Sequence, residues 1–300
     1  MFPGQPEISM EDSINIPPLV SVLMTAWNRQ EFIAEAIESV LASTYTNFEL
    51  IIVDDCSADN TVAIITAYEK KDTRIKFYVN EKNLGDYANR NRASTYASGE
   101  FIMSVDSDDM ILQDGIENCV KAMLSFPAEQ AGIYFPFTKC LPFALQSKEA
   151  IQKHFFEKPF LIVGPGATII RRSFFEALDK YPEKYGPASD MYFNLKLACH
   201  ASVLLLPFEF MYYRRHAGQE INNKYSYLVN SYRYLQDALK ELPLPLEEKQ
   251  KKWLHKKSKR RFTVNIIRYF FKTFDYTKTK EAIKKARFTM GDALQGIFQR

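Results

Sequence analysis

The patterned part of the chain begins with LVSVLMTAW (19–27), an apolar run with little alternation. EFIAEAIESVLAS (31–43) follows, where Phe32, Ile33, Ala36, Ile37, Val40 and Leu41 recur at the spacing of one helical face. The rhythm then repeats. FELIIVDD (48–55) reads as a strand, TVAIITAYEK (61–70) as a helix, RIKFYVN (74–80) as a strand, DYANRNRASTYAS (86–98) as a helix and FIMSVD (101–106) as a strand. Strands apolar on both faces, alternating with helices, predict an α/β fold: a mostly parallel, Rossmann-like sheet flanked by helices.

Ligands of such sheets collect at the carboxyl ends of the strands. Those ends are polar here: Thr25, Ala26, Trp27, Asn28 and Arg29 after the first strand, Asp54 to Ser57 after the second, Asn83 to Gly85 after the third, and Asp106 to Asp109 after the fourth. Three carboxylates within four residues repel one another unless a cation joins them, and aspartate oxygens suit hard ions such as Mg2+ or Mn2+. If strand geometry persists through the D-x-D, its two acids point the same way. The plainer reading makes Asp108 or Asp109 the N-cap of the helix that ILQDGIENCVKAML predicts.

Composition adds a boundary. The 300 residues are 46% hydrophobic and carry net charge +3. Residues 222–300 hold 19 Lys+Arg against 7 Asp+Glu, net +12, which leaves −9 for residues 1–221. The expected organisation is a loose leader (1–18), a main α/β domain (19–221) and a basic helical C-terminal region (222–300). No apolar run reaches the roughly 18 residues of a membrane span, and the first residues lack the pattern of a secretory signal. The four cysteines are scattered without a CxxC pair, which argues against a zinc site or disulfide framework and fits the cytoplasm.

TAWNR, AIESVLASTYTNFELIIVDDCSADNT and NLGDYANRNRASTYASGEFIMSVDSDD, in this order and spacing, resemble the family 2 glycosyltransferases of the GT-A fold. The likeness covers roughly 19–115 and resumes at 164–218, which implies that the main domain is catalytic, with halves 19–115 and 116–221. It implies inverting transfer of a sugar from a nucleotide diphosphate donor, foremost a UDP-sugar, to the hydroxyl of a carbohydrate or lipid-linked acceptor, with a divalent metal. By position, Thr25, Ala26, Trp27 and Arg29 resemble the first nucleotide loop, with Trp27 where Tyr is usual. Asp55 resembles the acid that accepts the uracil N3–H, with Asp54 structural. Cys56 stands where Gly is frequent, which bears on the turn because Gly permits torsions that Cys does not. Gly85 resembles the loop glycine beneath the nucleotide. Arg90 resembles the Arg of the family's ARN motif, Asp106 with Ser107 the contact to ribose or donor sugar, and Asp108 the metal ligand.

In the second half, FLIVGPGATIIRRSFFEAL (160–178) resembles the strand and turn beneath the acceptor. Ser189-Asp190 stands where the family often has two acids, which implies Asp190 as general base; a first-turn helix acid is the plainer role. FMYYRRHAGQ (210–219) resembles the YRxH ending, which implies His216 at the metal with Arg214 in support. No Q-x-x-R-W motif occurs, so single addition rather than processive synthesis is expected. The rivals are a nucleotidyltransferase, which needs a Gly-rich loop that TAWNRQ lacks, and a non-catalytic sugar-nucleotide binder. In the tail, 255–274 interleaves basic and apolar residues. It suits either peripheral contact with the inner face of a membrane or packing on the catalytic domain. No motif supports nucleic-acid binding.

Overall fold

The computed structural model describes residues 17–138 and 140–298. The expected leader therefore lies, apart from Pro17 and Pro18, outside the described residues. The chain runs β1 (Val20–Ala26), α1 (Ile33–Leu41), β2 (Phe48–Asp54), α2 (Thr61–Glu69), β3 (Ile75–Val79), α3 (Asp86–Ser94), β4 (Phe101–Ser104), β5 (Met110–Ile111) and α4 (Gly115–Ser125). It continues with β6 (Ala131–Tyr134), β7 (Phe143–Leu145), α5 (Ser147–Phe156), β8 (Thr168–Arg171), α6 (Arg172–Ala177), α7 (Ser189–His200), β9 (Val203–Leu206) and β10 (Met211–Tyr212). Four helices close it: α8 (Lys224–Glu241), α9 (Glu248–Thr273), α10 (Tyr276–Lys285) and α11 (Met290–Phe298).

Eight strands form one sheet in the order β3-β2-β1-β4-β8-β6-β9-β7. β3, β2, β1 and β4 are parallel. β8 runs against β4 and β6, β9 is parallel to β6, and β7 runs against β9. The predicted rhythm forms because β1 and β2 are buried almost throughout, with helices on both faces supplying that burial. The strand order reverses between β1 and β4, so the open crevice of the sheet lies at the ends of these two strands.

Two details depart from the sequence expectation. β4 stops at Ser104, so Asp106 and Asp108 do not alternate along a strand. A turn follows instead, with the Asp109 N–H donating to the Asp106 carbonyl at 2.9 Å. And α4 begins at Gly115 after Asp114, so neither Asp108 nor Asp109 caps it.

The charge break near 222 is not a break in the core. Tyr234, Ala238, Leu239, Leu242, Leu244, Leu246 and Leu254 pack into the same apolar cluster as Ile133, Phe175 and Phe193. A smaller cluster, with Val229, Tyr232, Phe262, Ile266 and Phe288, ties α8 to the last helices.

Candidate active site

The turn after β4 gathers the acids. Asp106, Asp108 and Asp109 each bring a carboxylate oxygen to within 4.8 Å of the others. Asp109 is 2% exposed. Burial, then the charge of Asp106, pushes its carboxyl up to about 7, against the pull of the Arg214 backbone N–H and despite that residue's guanidinium.

The small sheet of β5 and β10 determines what faces these acids. It pairs Met211 with Ile111 and Tyr212 with Met110, and so lays residues 213–216 along the acidic turn. The Arg214 N–H donates to Asp109 Oδ1 at 3.0 Å and its Nε to the Asp108 carbonyl at 3.0 Å. His216 Nε2 lies 3.1 Å from Asp108 Oδ2, with its ring stacked on Phe32 at 4.4 Å. From the first loop, Arg29 Nε reaches the same Asp108 oxygen at 3.2 Å. Asp108 thus holds two basic partners from distant parts of the chain.

Arg90 stands on the other side. Its guanidinium meets Asp106 Oδ1 at 2.7 Å and Asp86 Oδ1 at 2.8 Å. The bond to Asp86 is directed, whereas the contact to Asp106 is an ion pair without hydrogen-bond geometry, which ties the acidic turn to α3 through charge.

The residues expected from the sequence on the nucleotide side fall at the ends of β1 to β3. Thr25 and Ala26 end β1, and Trp27 stands 52% exposed beyond them. Asn28 (φ 52°) and Cys56 (φ 64°) both take the left-handed conformation. The turn expected to need Gly is therefore made by Cys56 under backbone strain. Asp54 Oδ1 and Oδ2 accept from the Ser57 backbone and hydroxyl, which makes Asp54 a structural residue. Asp55 is 3% exposed. It accepts from Asn80 Nδ2 and the Leu84 N–H at Oδ1 and from the Gly85 N–H at Oδ2. It clamps the loop whose Gly85 takes φ 90°, and Oδ2 keeps lone-pair capacity for one further donor. Ser107 is buried within the acidic turn.

Asp190 occupies the first turn of α7, 7% exposed, with Oδ1 accepting the Met191 N–H at 2.6 Å. Burial pushes its carboxyl up to about 7, against hydrogen bonds from Met191 and Tyr87 and the nearby charge of Arg90. A carboxyl tuned to that range can take up and release a proton near neutrality. The Gly164 backbone passes close by; a Cβ there would sit 3.8 Å from Asp190 Oδ2.

Some members of the site were not foreseen. Asp86 balances Arg90, while Phe32, the N-cap residue of α1, and Glu35 within it support His216 and Arg214. Tyr87, Tyr181, Tyr227 and Tyr234 feel the Asp190 charge. Asp86 stands four residues before Arg90, a spacing that signals an ion pair on a helix. The tyrosines have no such local signal.

The Glycosyl transferase family 2 profile matches residues 21–179. A glycosyltransferase of Methanocaldococcus jannaschii is 31% identical over 274 residues, 87% of this chain and 86% of that one. WfgD of Escherichia coli, named as a UDP-Glc:alpha-D-GlcNAc-diphosphoundecaprenol beta-1,3-glucosyltransferase, is 42% identical over 106 residues, 35% of this chain and 41% of its own length. The chain thus spans less than half the length of several bacterial relatives it matches. Among solved structures, Staphylococcus aureus TarS 1–349 with UDP-GlcNAc superposes with TM-score 0.72 at 22% identity, covering 93% of this chain and 81% of TarS 1–349. A Pyrobaculum calidifontis mannosyltransferase with GDP-Man and Mn2+ gives TM-score 0.64 at 15% identity, covering 94% and 88%. These two share the fold. The profile over 21–179, with the archaeal relative aligned over 87% of the chain, places the chain in glycosyltransferase family 2.

Proposed function

We propose that this protein transfers a single sugar, with inversion, from a nucleoside diphosphate sugar to an acceptor hydroxyl. The observation that carries the reading is the pairing of two unlike acid sites: a crowded carboxylate turn at 106–109 and a single buried acid, Asp190, in the first turn of α7. Crowded carboxylate oxygens with one imidazole beside them fit Mn2+ or Mg2+. Asp108, with His216 beside it, would hold the ion, which when bound would neutralise the leaving diphosphate as a Lewis acid.

The chain's own residues do the rest. Trp27 offers an exposed face to the base, and the free lone pair of Asp55 suits the N3–H of uracil, which favours a UDP-sugar. Gly85 lets the backbone pass close beneath the nucleotide. Arg90 holds Asp106, with Ser107, toward ribose and sugar. Arg29 releases Asp108 when phosphate arrives and then pairs with that phosphate. Asp190 accepts the proton of the acceptor hydroxyl as it attacks the anomeric carbon. The test is a panel of nucleoside diphosphate sugars scored by released nucleoside diphosphate, with Mn2+ and with chelator. Metal-dependent release from a UDP-sugar supports the reading. Tight donor binding without release would make the protein a sugar-nucleotide binder.

WfgD is named for an acceptor carried on diphosphoundecaprenol, which motivates a carbohydrate or lipid-linked acceptor here and a role in cell-surface polysaccharide assembly. Among the described residues no helix is long and apolar enough to cross a membrane. Peripheral contact is supported by α9, where Val264, Ile267 and Phe271 stand exposed among Arg260, Arg261, Arg268 and Lys272. Each basic residue near an anionic surface contributes about 1 kcal/mol. Changing these four to Gln should abolish sedimentation with phosphatidylglycerol vesicles at low salt; a wild-type protein that stays in the supernatant refutes the contact.

A further inference from the structure

A second recess lies in the C-terminal helices, and its charge is the reverse of the rim's. It encloses about 580 Å3 between α8, α9 and the segment from Ala286 to Gln295. Arg233 of α8, Lys252, Lys256 and Lys259 of α9, and Arg287 beyond α10 line it. Lys259 is paired, with Nζ 2.7 Å from Asp292 Oδ1. Among the described residues, the other four have no carboxylate within 4.0 Å. The other acid of the wall, Asp237, accepts the Tyr185 hydroxyl at 2.8 Å. Five basic groups against the two carboxylates leave the wall net +3, a field that favours an anionic occupant.

One further observation points into the same place. Arg287, the residue just past the α10 C-cap Ala286, takes φ 53°; its N–H donates to the Lys284 carbonyl at 3.0 Å and that of Phe288 to the Ile283 carbonyl at 3.1 Å. Gly or Asn is the ordinary occupant of that position. An Arg there keeps a strained backbone and places a guanidinium in the wall, the kind of outlier that accompanies binding sites. Gln236 shares its Oε1 with His255 Nδ1 at 2.8 Å. Its Nε2 is buried behind the recess, out of reach of an occupant.

We propose that this recess binds a ligand bearing clustered phosphates, a diphosphate group either free or carried on a lipid. The volume is that of a small-molecule pocket rather than a single-ion site. Two guanidiniums, each a planar fork, match phosphate oxygens in pairs, with the lysines adding charge. α8 joins the recess to the rim, since it carries Arg233 and also Tyr227 and Tyr234, which feel the Asp190 charge. An occupant would therefore sit on the helix that backs the proposed base.

The experiment is calorimetric titration of the full chain with inorganic pyrophosphate and with farnesyl diphosphate, at low salt and without divalent cation, so that the acidic rim repels both probes. The wild-type protein should bind. The variant Arg233→Gln/Lys252→Gln/Lys256→Gln/Arg287→Gln should bind at least about tenfold more weakly, as loss of several charge-assisted contacts requires. Arg287→Gly alone should weaken binding about threefold or more while leaving Tm equal or higher, because glycine relaxes the cap. That combination separates lost recognition from lost folding. Equal affinity for the two probes means that the phosphates alone are recognised; tighter binding of farnesyl diphosphate means that the lipid-borne source is preferred. Absence of binding by the wild-type protein, or equal affinity in the fourfold variant, overturns the proposal.

Discussion

Two buried acid sites occupy opposite ends of the same sheet, and they are built on opposite principles. At the amino end, Glu49 is 5% exposed. It accepts from the Ser21 hydroxyl at 2.6 Å, from the Ser98 N–H at 2.7 Å and from Lys76 Nζ at 2.5 Å. Burial pushes its carboxyl up, but these hydrogen bonds outweigh burial and hold it below the ordinary range. At the carboxyl end, Asp109 and Asp190 are equally buried but are pushed up to about 7. The first site has a donor for each oxygen and serves the fold. The second leaves charge crowded or under-compensated, which is the condition for binding a cation or moving a proton. Burial of an acid does not by itself mark function; what matters is whether the fold already satisfies it.

The largest effect should come from breaking the rim at its base. Asp190→Asn keeps the shape and removes proton acceptance, so transfer should fall by roughly 10²–10⁴ while donor affinity holds. Stopped assays of sugar transfer beside donor titrations would check this; equal transfer rates would locate the base elsewhere. The same variant should be more stable than wild type at pH 8, since an ionised carboxylate is no longer held in a buried site. Asp108→Ala comes next. Activity should drop at least about tenfold through the loss of Lewis-acid stabilisation. Thermal shift by Mn2+ should shrink with it, because the shift measures the ion's preference for the folded site. An undiminished Mn2+ shift in the variant would move the ion away from this turn.

The amino end should respond in the opposite currency. Glu49→Ala leaves the buried Ser21 hydroxyl without its acceptor and should cost about 2 kcal/mol of stability, read by urea unfolding, with turnover per folded molecule unchanged. The two ends also differ in sign with pH. Glu49 has a lowered folded value, so its contribution is present above the ordinary glutamate range and is lost as pH falls through the lowered value. Asp109 and Asp190 have raised folded values, so their contribution is present below the ordinary aspartate range and is lost as pH rises to about 7. The smallest effect concerns strain at the rim. Cys56→Gly should stabilise by about 1 kcal/mol, because glycine adopts the left-handed conformation without a Cβ clash. A lower Tm would mean that the thiol makes a contact worth more than the strain.

The first half of the fold was legible because it is local. β1 to β4 and their helices are fixed by apolar periodicity within a few residues of where each lies, and every predicted element there is present. The rim could be read as well, since strand ends in a parallel sheet share one edge. The turn geometry could not. Strand alternation was the expectation for the D-x-D, yet β4 ends at Ser104 and the acids meet through the bond between Asp109 and Asp106. The partners of that turn are more distant still. Arg214 reaches Asp109 across 105 residues, because β10 pairs with β5, and no periodicity encodes such a pairing. Residue 222 teaches the same lesson from the other side. The charge composition changes there, but Tyr234, Leu239 and Leu254 continue the main core, since charge patterning reports the solvated faces of helices and not the buried ones.

The central claim is that the acids of the rim do chemistry while the saturated acid below them does not, and the pH dependence of sugar transfer tests it most directly. The wild-type protein, saturated with donor and Mn2+, should release nucleoside diphosphate at a rate that rises with pH through about 7, as the buried Asp190 loses its proton. Glu49→Ala should keep that inflection unchanged. A profile that is flat between pH 5 and pH 9, or an inflection that moves with Glu49 and not with Asp190, would contradict the account.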